Sequence, residues 1–248
     1  LFLFLKEKIF MYTNSTQPQP MIAGLRSYMN AVYRHMFLGL IMSSLIAFLC
    51  TNGGYLHNIF FHTVAGHRGV SLTGLGLVAM LSPLGMLIVA MFTGIERWSV
   101  QTTAIFYYVL TGLMGVSLYA MLTPYAPGVV VSALLATAGA FAFLSAFGYL
   151  SSRDLSGVGS FCIMGLWGLI LYPLIAMIFH LPSANVVTGI VGVLIFGGLT
   201  AYDTQKIKQE YISGNGSQQF AIWGALSLYL DFINLLQSLL QLTRGNND

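Results

Sequence analysis

Seven runs of apolar residues, each close to the length needed to cross a lipid bilayer, limit what this 248-residue chain can become. About 30 Å of hydrocarbon takes roughly 20 helical residues. Backbone polar groups in lipid must be satisfied within the segment, so runs of this length are helices. They fall near 33–51, 72–93, 99–122, 127–150, 158–180, 184–204 and 218–242. Only 7% of the residues are charged, against about 25% in a soluble domain. The predicted fold is all-α: a polytopic membrane protein with seven transmembrane helices. Residues 1–32 form an N-terminal extension and cytoplasmic segment, 33–242 the transmembrane domain and 243–248 a C-terminal tail. Met11 reads as the initiator, with Leu1–Phe10 an upstream extension. That extension has no preceding basic region and no cleavage signal, so it is not read as a signal peptide.

Basic residues assign the sides. Arg26, Arg34, Arg97, Arg153, Lys206 and Lys208 fall on the N-terminal side, and the opposite loops hold only Arg68, with Arg244 in the tail. The excess of positive charge on cytoplasmic loops puts the N-terminus in the cytoplasm and, with seven spans, the C-terminus outside. The ten Lys/Arg are spread over helix junctions and form no patch suited to nucleic acid. The connections Thr123–Gly128 and Leu181–Ala184 are too short for folded domains. Function therefore lies within the helices or at their cytoplasmic ends.

The seventh run is the most polar. Ser227, Asp231, Asn234, Ser238 and Gln241 recur at steps of four and three, which gathers them on one helical face. Phe232, Leu236 and Leu240 lie opposite. Such a stripe is costly against lipid, so the C-terminal helix should be central and wrapped by the other six. The alternative is an amphipathic helix lying on the membrane surface. The polar face opposes that reading, because between Gln218 and Gln241 it carries no charge except Asp231.

Two of only seven acidic residues fall in these last apolar runs: Asp203, at the end of the sixth, and Asp231. An intramembrane ionisable residue is a functional-site candidate by default. If the two approach, like charges in a poorly solvated site cannot both ionise cheaply, and the pair shares a proton and titrates as a unit. It can then act as a proton-dependent latch between helices six and seven. When ionised, it can offer carboxylate oxygens to a passing hard cation such as calcium. Asp231 lies thirteen residues beyond Gln218, about 20 Å along a helix, whereas Asp203 sits near the cytoplasmic end of its span. Pairing thus requires helix seven to start in the cytosol, tilt, or sit off the membrane centre. Two separate carboxylates, each satisfied by Ser, Asn or water, are the alternative.

Enzyme readings find less support. Tyr202-Asp203 matches half of an intramembrane aspartyl protease site, but Asp231 lacks the Gly-x-Gly-Asp setting of the other half. Gly115-Val-Ser-Leu118 misses the final glycine of a rhomboid-like serine site, and there is no phosphate loop. No catalytic residues and no cofactor are assigned. His57, His62 and His67 form no HExxH, and loop histidines are a plainer reading than a zinc site. Cys50 and Cys162 have no metal spacing and read as reduced packing residues. Gly189 and Gly192 favour close helix packing without a GxxxG dimer seam. Pro83 and Pro173 mark either hinges or static kinks.

Gly198-Leu-Thr-Ala-Tyr-Asp-Thr-Gln-Lys-Ile-Lys208 and Gly224-Ala-Leu-Ser-Leu-Tyr-Leu-Asp-Phe-Ile-Asn-Leu-Leu-Gln-Ser-Leu-Leu240 resemble the C-terminal signature of the Bax inhibitor-1 family. Arg153-Asp-Leu-Ser-Gly-Val-Gly159 also fits a bacterial member, and the likeness spans about Ala23 to Leu242. The resemblance implies seven helices around a central last one. It also implies a pH-sensitive calcium leak in the bacterial inner membrane, with Asp203 and Asp231 as a di-aspartyl sensor and transient calcium ligands. Tyr202 and Tyr229 would position or plug the pathway, and Ser227 and Asn234 would line it. Eukaryotic relatives suppress cell death and lower stored calcium. Some bacterial relatives are linked to a membrane-bound ATP-dependent protease, which makes a non-transporting regulator the second reading. One departure stands out. A calcium-leaking bacterial relative carries an arginine in helix two that engages the aspartates, whereas Leu72–Phe92 here holds no charge, and Glu96-Arg97 lies only at the following junction.

Overall fold

The computed structural model describes residues 19–51, 55–63, 70–93, 98–180 and 185–244. Readings placed on Leu1–Met11, His67, Arg68, Glu96, Arg97, the Leu181–Ala184 connection and residues 245–248 lie outside them. The described residues form α1 (Gln19–Leu49), the short α2 (His57–Phe60), β1 (Phe61–Thr63), β2 (Val70–Leu72) and α3 (Gly74–Thr93). There follow α4 (Val100–Leu122), α5 (Pro127–Leu150), α6 (Ser156–Phe179), α7 (Asn185–Ile212) and α8 (Gln218–Arg244).

Five stretches are long and apolar enough to cross a membrane: Ala23–Leu49, Val100–Leu122, Pro127–Leu150, Val186–Ile212 and Gln218–Thr243. Gly74–Ala90 and Ser156–Tyr172 are shorter apolar helices. Each predicted run has a long helix, but two boundaries differ. α1 begins at Gln19 rather than 33, and α7 continues to Ile212 rather than ending at 204. In both places polar residues extend the helix past its apolar part, and hydrophobicity alone does not register them. Large apolar side chains such as Phe37, Phe48, Leu135, Phe161 and Leu194 are exposed on the outer faces, more than a water-facing surface tolerates. Lipid is the solvent these faces fit.

Local signals explain several helix ends. Ser99 caps α4 by accepting from the Thr102 amide. Pro127 opens α5, where its missing amide costs nothing. Beyond α7, Gly214 takes φ 93, a left-handed setting that glycine adopts without penalty. The sequence reading did not include the ribbon, in which Phe61 pairs with Leu72 and Thr63 with Val70. Strands of three residues carry too little alternation to be seen.

The chain packs as two compact units: residues 1–31, 135–217 and 230–248 in one, 32–134 and 218–229 in the other. In the first, α6 packs on α7, with Cys162, Ile195, Phe196, Leu199 and Leu235 as its buried centre. In the second, α3 packs on α4, around Cys50, Phe61, Ala79 and Val116. Both cysteines are free and buried. The apolar window of α8 is 67% buried, whereas the other four candidate spans reach 22–44%. Its polar residues are included: Asp231 is 5% and Ser238 4% exposed. A helix resting on a membrane surface would leave that stripe in water, and here Asp231 and Ser238 are buried.

Candidate functional site

The acidic segment of α7 is built into its surroundings from both sides. Thr200 and Thr204 return their hydroxyls to the carbonyls of Phe196 and Thr200, at 2.8 and 2.7 Å. This satisfies buried polar atoms within an apolar helix. Gly148 of α5 sits directly against the Ala201 backbone, and a Cβ on Gly159 of α6 would lie 2.6 Å from the Tyr202 ring. Small residues thus bring both helices to within backbone reach of the stretch that carries Asp203. Ser145 meets Thr204, oxygen to oxygen, at 3.0 Å.

Two further side chains of α7 hold the turn between α5 and α6. Gln205 accepts from the Leu155 amide at 2.8 Å through Oε1 and donates to the Arg153 carbonyl at 2.8 Å through Nε2. Lys208 donates from Nζ to the Tyr149 carbonyl at 2.8 Å, with its ammonium 5.3 Å from the Tyr149 ring centre. The carbonyls in the last turn of α5 have no partner within the helix, and a cation at that negative end is favourable. Gln205 and Lys208 are 5% and 4% exposed. In the sequence Lys208 serves only as an orienting charge and Gln205 carries no motif. Their polarity at the end of an apolar run is the available signal, but their partners lie fifty or more residues away in sequence.

Asp203 is half-buried on this clamped segment. Asp231, 5% exposed, lies close enough for the charge of Asp203 to act on it. Its Oδ2 is buried without a hydrogen-bond partner. A buried carboxylate oxygen left unpaired is expensive, and such an orphan calls for an explanation. Besides Asp231, the charged groups that act on Asp203 are Lys206, three residues on, and Glu210, two turns on. No charge from α3 is among them, as the uncharged second apolar run required. Around Asp231 the stripe satisfies itself locally. Asn234 donates to the Leu230 carbonyl at 2.8 Å and Ser238 to the Asn234 carbonyl at 2.8 Å. Farther along, Thr188 of α7 donates to Gln241 at 3.1 Å.

The remaining candidates separate by unit. Tyr202 and Asn234 belong with the two aspartates, Ser227 and Tyr229 with the other unit. Tyr229 is fully buried, and its hydroxyl meets Ser43 Oγ at 2.6 Å. Ser43 lies 2.7 Å from the Thr111 carbonyl and 2.9 Å from that of Gly39. A carbonyl only accepts, so the single Ser43 proton goes to these carbonyls and Tyr229 donates to Ser43. Ser227 is half-buried.

No group of three or more His, Cys, Asp or Glu suited to a metal occurs among the described residues. His57 is buried with Nδ1 2.9 Å from the Cys50 carbonyl, while His62 is exposed on β1. Calcium takes six to eight oxygen ligands, so two carboxylates suit a passing ion better than a resident one.

Apolar helices around one buried, incompletely paired carboxylate and its half-buried neighbour define a polytopic membrane protein with an acidic interior. A family profile described as "Inhibitor of apoptosis-promoting Bax1" matches residues 25–248. The chain is 36% identical over 230 residues to an uncharacterized protein of Caulobacter vibrioides, covering 91% of each. It is 34% identical over 227 residues to the inner membrane protein YbhL of Escherichia coli K12, covering 89% of this chain and 92% of the relative. The chain belongs to the Bax inhibitor-1 family of membrane proteins.

Proposed function

We propose that this protein is a pH-sensitive leak channel or exchanger for cations, with calcium as cargo, gated by Asp203 and Asp231. The observation that carries this reading is the unpartnered Oδ2 of buried Asp231 within electrostatic reach of Asp203. A proton or a cation supplies what that oxygen lacks, and competition between the two makes passage depend on pH. Asp203 is the more exposed member and stands as the receiving group. Seven spans with α8 in the centre suit the burial of α8. The distribution of basic residues supports a cytoplasmic N-terminus and an outward C-terminus. The relative named an inner membrane protein supports the same location here.

Purified protein in sealed liposomes, with calcium entry followed from pH 5 to 8, tests the reading. The expected result is flux above empty liposomes that changes with pH, and a flattened profile in Asp203→Asn and Asp231→Asn. Wild-type flux equal to that of empty liposomes across the range would overturn it. Specific co-purification of a membrane-bound protease would then favour the regulator.

A further inference from the structure

Among the buried titratable groups outside the carboxylate site, His35 stands at a seam between two long helices. His35 of α1 is 9% exposed, and its Nδ1 lies 2.9 Å from the Tyr108 hydroxyl of α4. The next turn of contact is made by its backbone, whose carbonyl accepts the Tyr107 hydroxyl at 2.9 Å. The two tyrosine rings flank the imidazole, with centres 6.5 and 6.1 Å away. Nε2 is buried and has no partner.

We propose that His35 is a proton-binding site separate from the two aspartates, and that protonation there loosens the seam between α1 and α4. A neutral imidazole carries one N–H and one lone pair, so a hydroxyl opposite Nδ1 serves either tautomer. Protonation turns both nitrogens into donors. Nδ1–H still has the Tyr108 oxygen, but Nε2–H becomes a buried, charged donor with nothing to accept from it. The groups set against it add no help. Arg34, on the same helix, is a like charge, and α4 offers only Tyr107 and Tyr108. Among the described residues no carboxylate acts on His35. The imidazolium is satisfied only if the ring turns outward or water enters between the helices.

Turning the ring outward breaks the Tyr108 bond, water entry parts the two helices beside it, and both disturb the Tyr107 bond to the same residue. The disturbance has a defined path. The Tyr107 hydroxyl sits directly over Gly39, one turn beyond His35, where any side chain would collide with it. One turn further, Ser43 bonds to the Thr111 carbonyl of α4. The contact that opens in acid is therefore His35 to Ser43 on α1 against Tyr107 to Thr111 on α4.

The test uses the whole protein in lipid nanodiscs. Imidazole nitrogens are followed by NMR from pH 8 to 5, and amide exchange is measured by mass spectrometry over 32–43 and 103–111. His35 should become doubly protonated toward the acid end of this range. Exchange in both segments should then rise about tenfold, the factor that accompanies one pH unit of proton linkage. His35→Gln keeps a partner for Tyr108 without a titrating charge, and in it the rise should vanish. The same acid-induced rise in His35→Gln would overturn the proposal. So would an imidazole that stays neutral down to pH 5, a result read from the wild type whether or not the variant folds.

Discussion

Tyr229 and Asp231 stand two residues apart on one helix and are both buried, yet their polar atoms meet opposite fates. In the second unit, the Tyr229 hydroxyl passes its proton to Ser43, and Ser43 passes its own to the carbonyls of Thr111 and Gly39. Every group in that chain has a partner. In the first unit, Asp231 keeps an oxygen with none. A closed network rigidifies a core, whereas a half-satisfied one costs stability and persists where it serves another purpose. One helix thus holds a buried polar group that is fully answered and, two residues on, one that is not.

The sharpest way to break this contrast is to change the sign of the stability effect. Replacing Asp231 with leucine removes an unpaired polar group from an apolar interior. A buried polar group left unsatisfied costs about 1–3 kcal/mol, a cost that leucine does not carry. Reversible unfolding in mixed micelles should show Asp231→Leu at least as stable as wild type, while calcium flux loses its pH dependence. A clearly less stable variant would show that Asp231 belongs to the scaffold, as Tyr229 does.

Close packing is common to both units and should fail alike in both. A Cβ on Gly148 meets the Ala201 backbone, and one on Gly115 lies 2.6 Å from the Ser43 carbonyl oxygen. Backbone cannot yield as a side chain can, so Gly148→Ala and Gly115→Ala should each cost about 1–3 kcal/mol. The same unfolding measurement compares them. A tolerated Gly148→Ala would mean that the spacing of α5 and α7 does not hold the Asp203 segment in place.

Within the second unit, the network predicts an asymmetry. Tyr229→Phe leaves Ser43 bonded to carbonyls and should cost about 0.6 kcal/mol, near the average for a hydrogen bond between membrane helices. Ser43→Ala strands a buried phenol and should cost more, toward about 1.7 kcal/mol. Equal losses in the two variants would reverse the donor assignment.

The smallest effect belongs to an exposed residue in the turn before α6. Asp154 accepts from the Ser156 hydroxyl at 2.6 Å and the Ser156 amide at 2.9 Å, and these bonds, the hydroxyl first, hold its carboxyl below the ordinary range. A depressed carboxyl stabilises the folded state above its unfolded value and loses that contribution as pH falls through the folded one. Asp154→Ala should therefore melt slightly below wild type at pH 7, and the gap should close below about pH 4. A gap that persists in acid would assign the effect to lost packing.

Much of the architecture was legible because its code is local. Helix spacing, apolar faces, the stripe from Ser227 to Gln241 and the place of Asp203 and Asp231 all repeat within two turns. Gln205 was not legible as a clamp, because its polarity names no partner and the turn it holds lies fifty residues earlier. His35 carries no signal of its own in the sequence, and Tyr107 and Tyr108 close around it from more than seventy residues away.

The amino-acid order alone determined which segments enter the membrane, and it placed acids where lipid-length helices end or turn polar. That much follows from hydration, since each apolar or charged side chain carries its own transfer cost wherever it goes. Only the tertiary structure decided which buried polar atoms are answered. Tyr229 finds Ser43 across 186 residues of chain, and Asp231 Oδ2 finds nothing. A hydrogen bond depends on geometry between two groups, and no single stretch of sequence contains both.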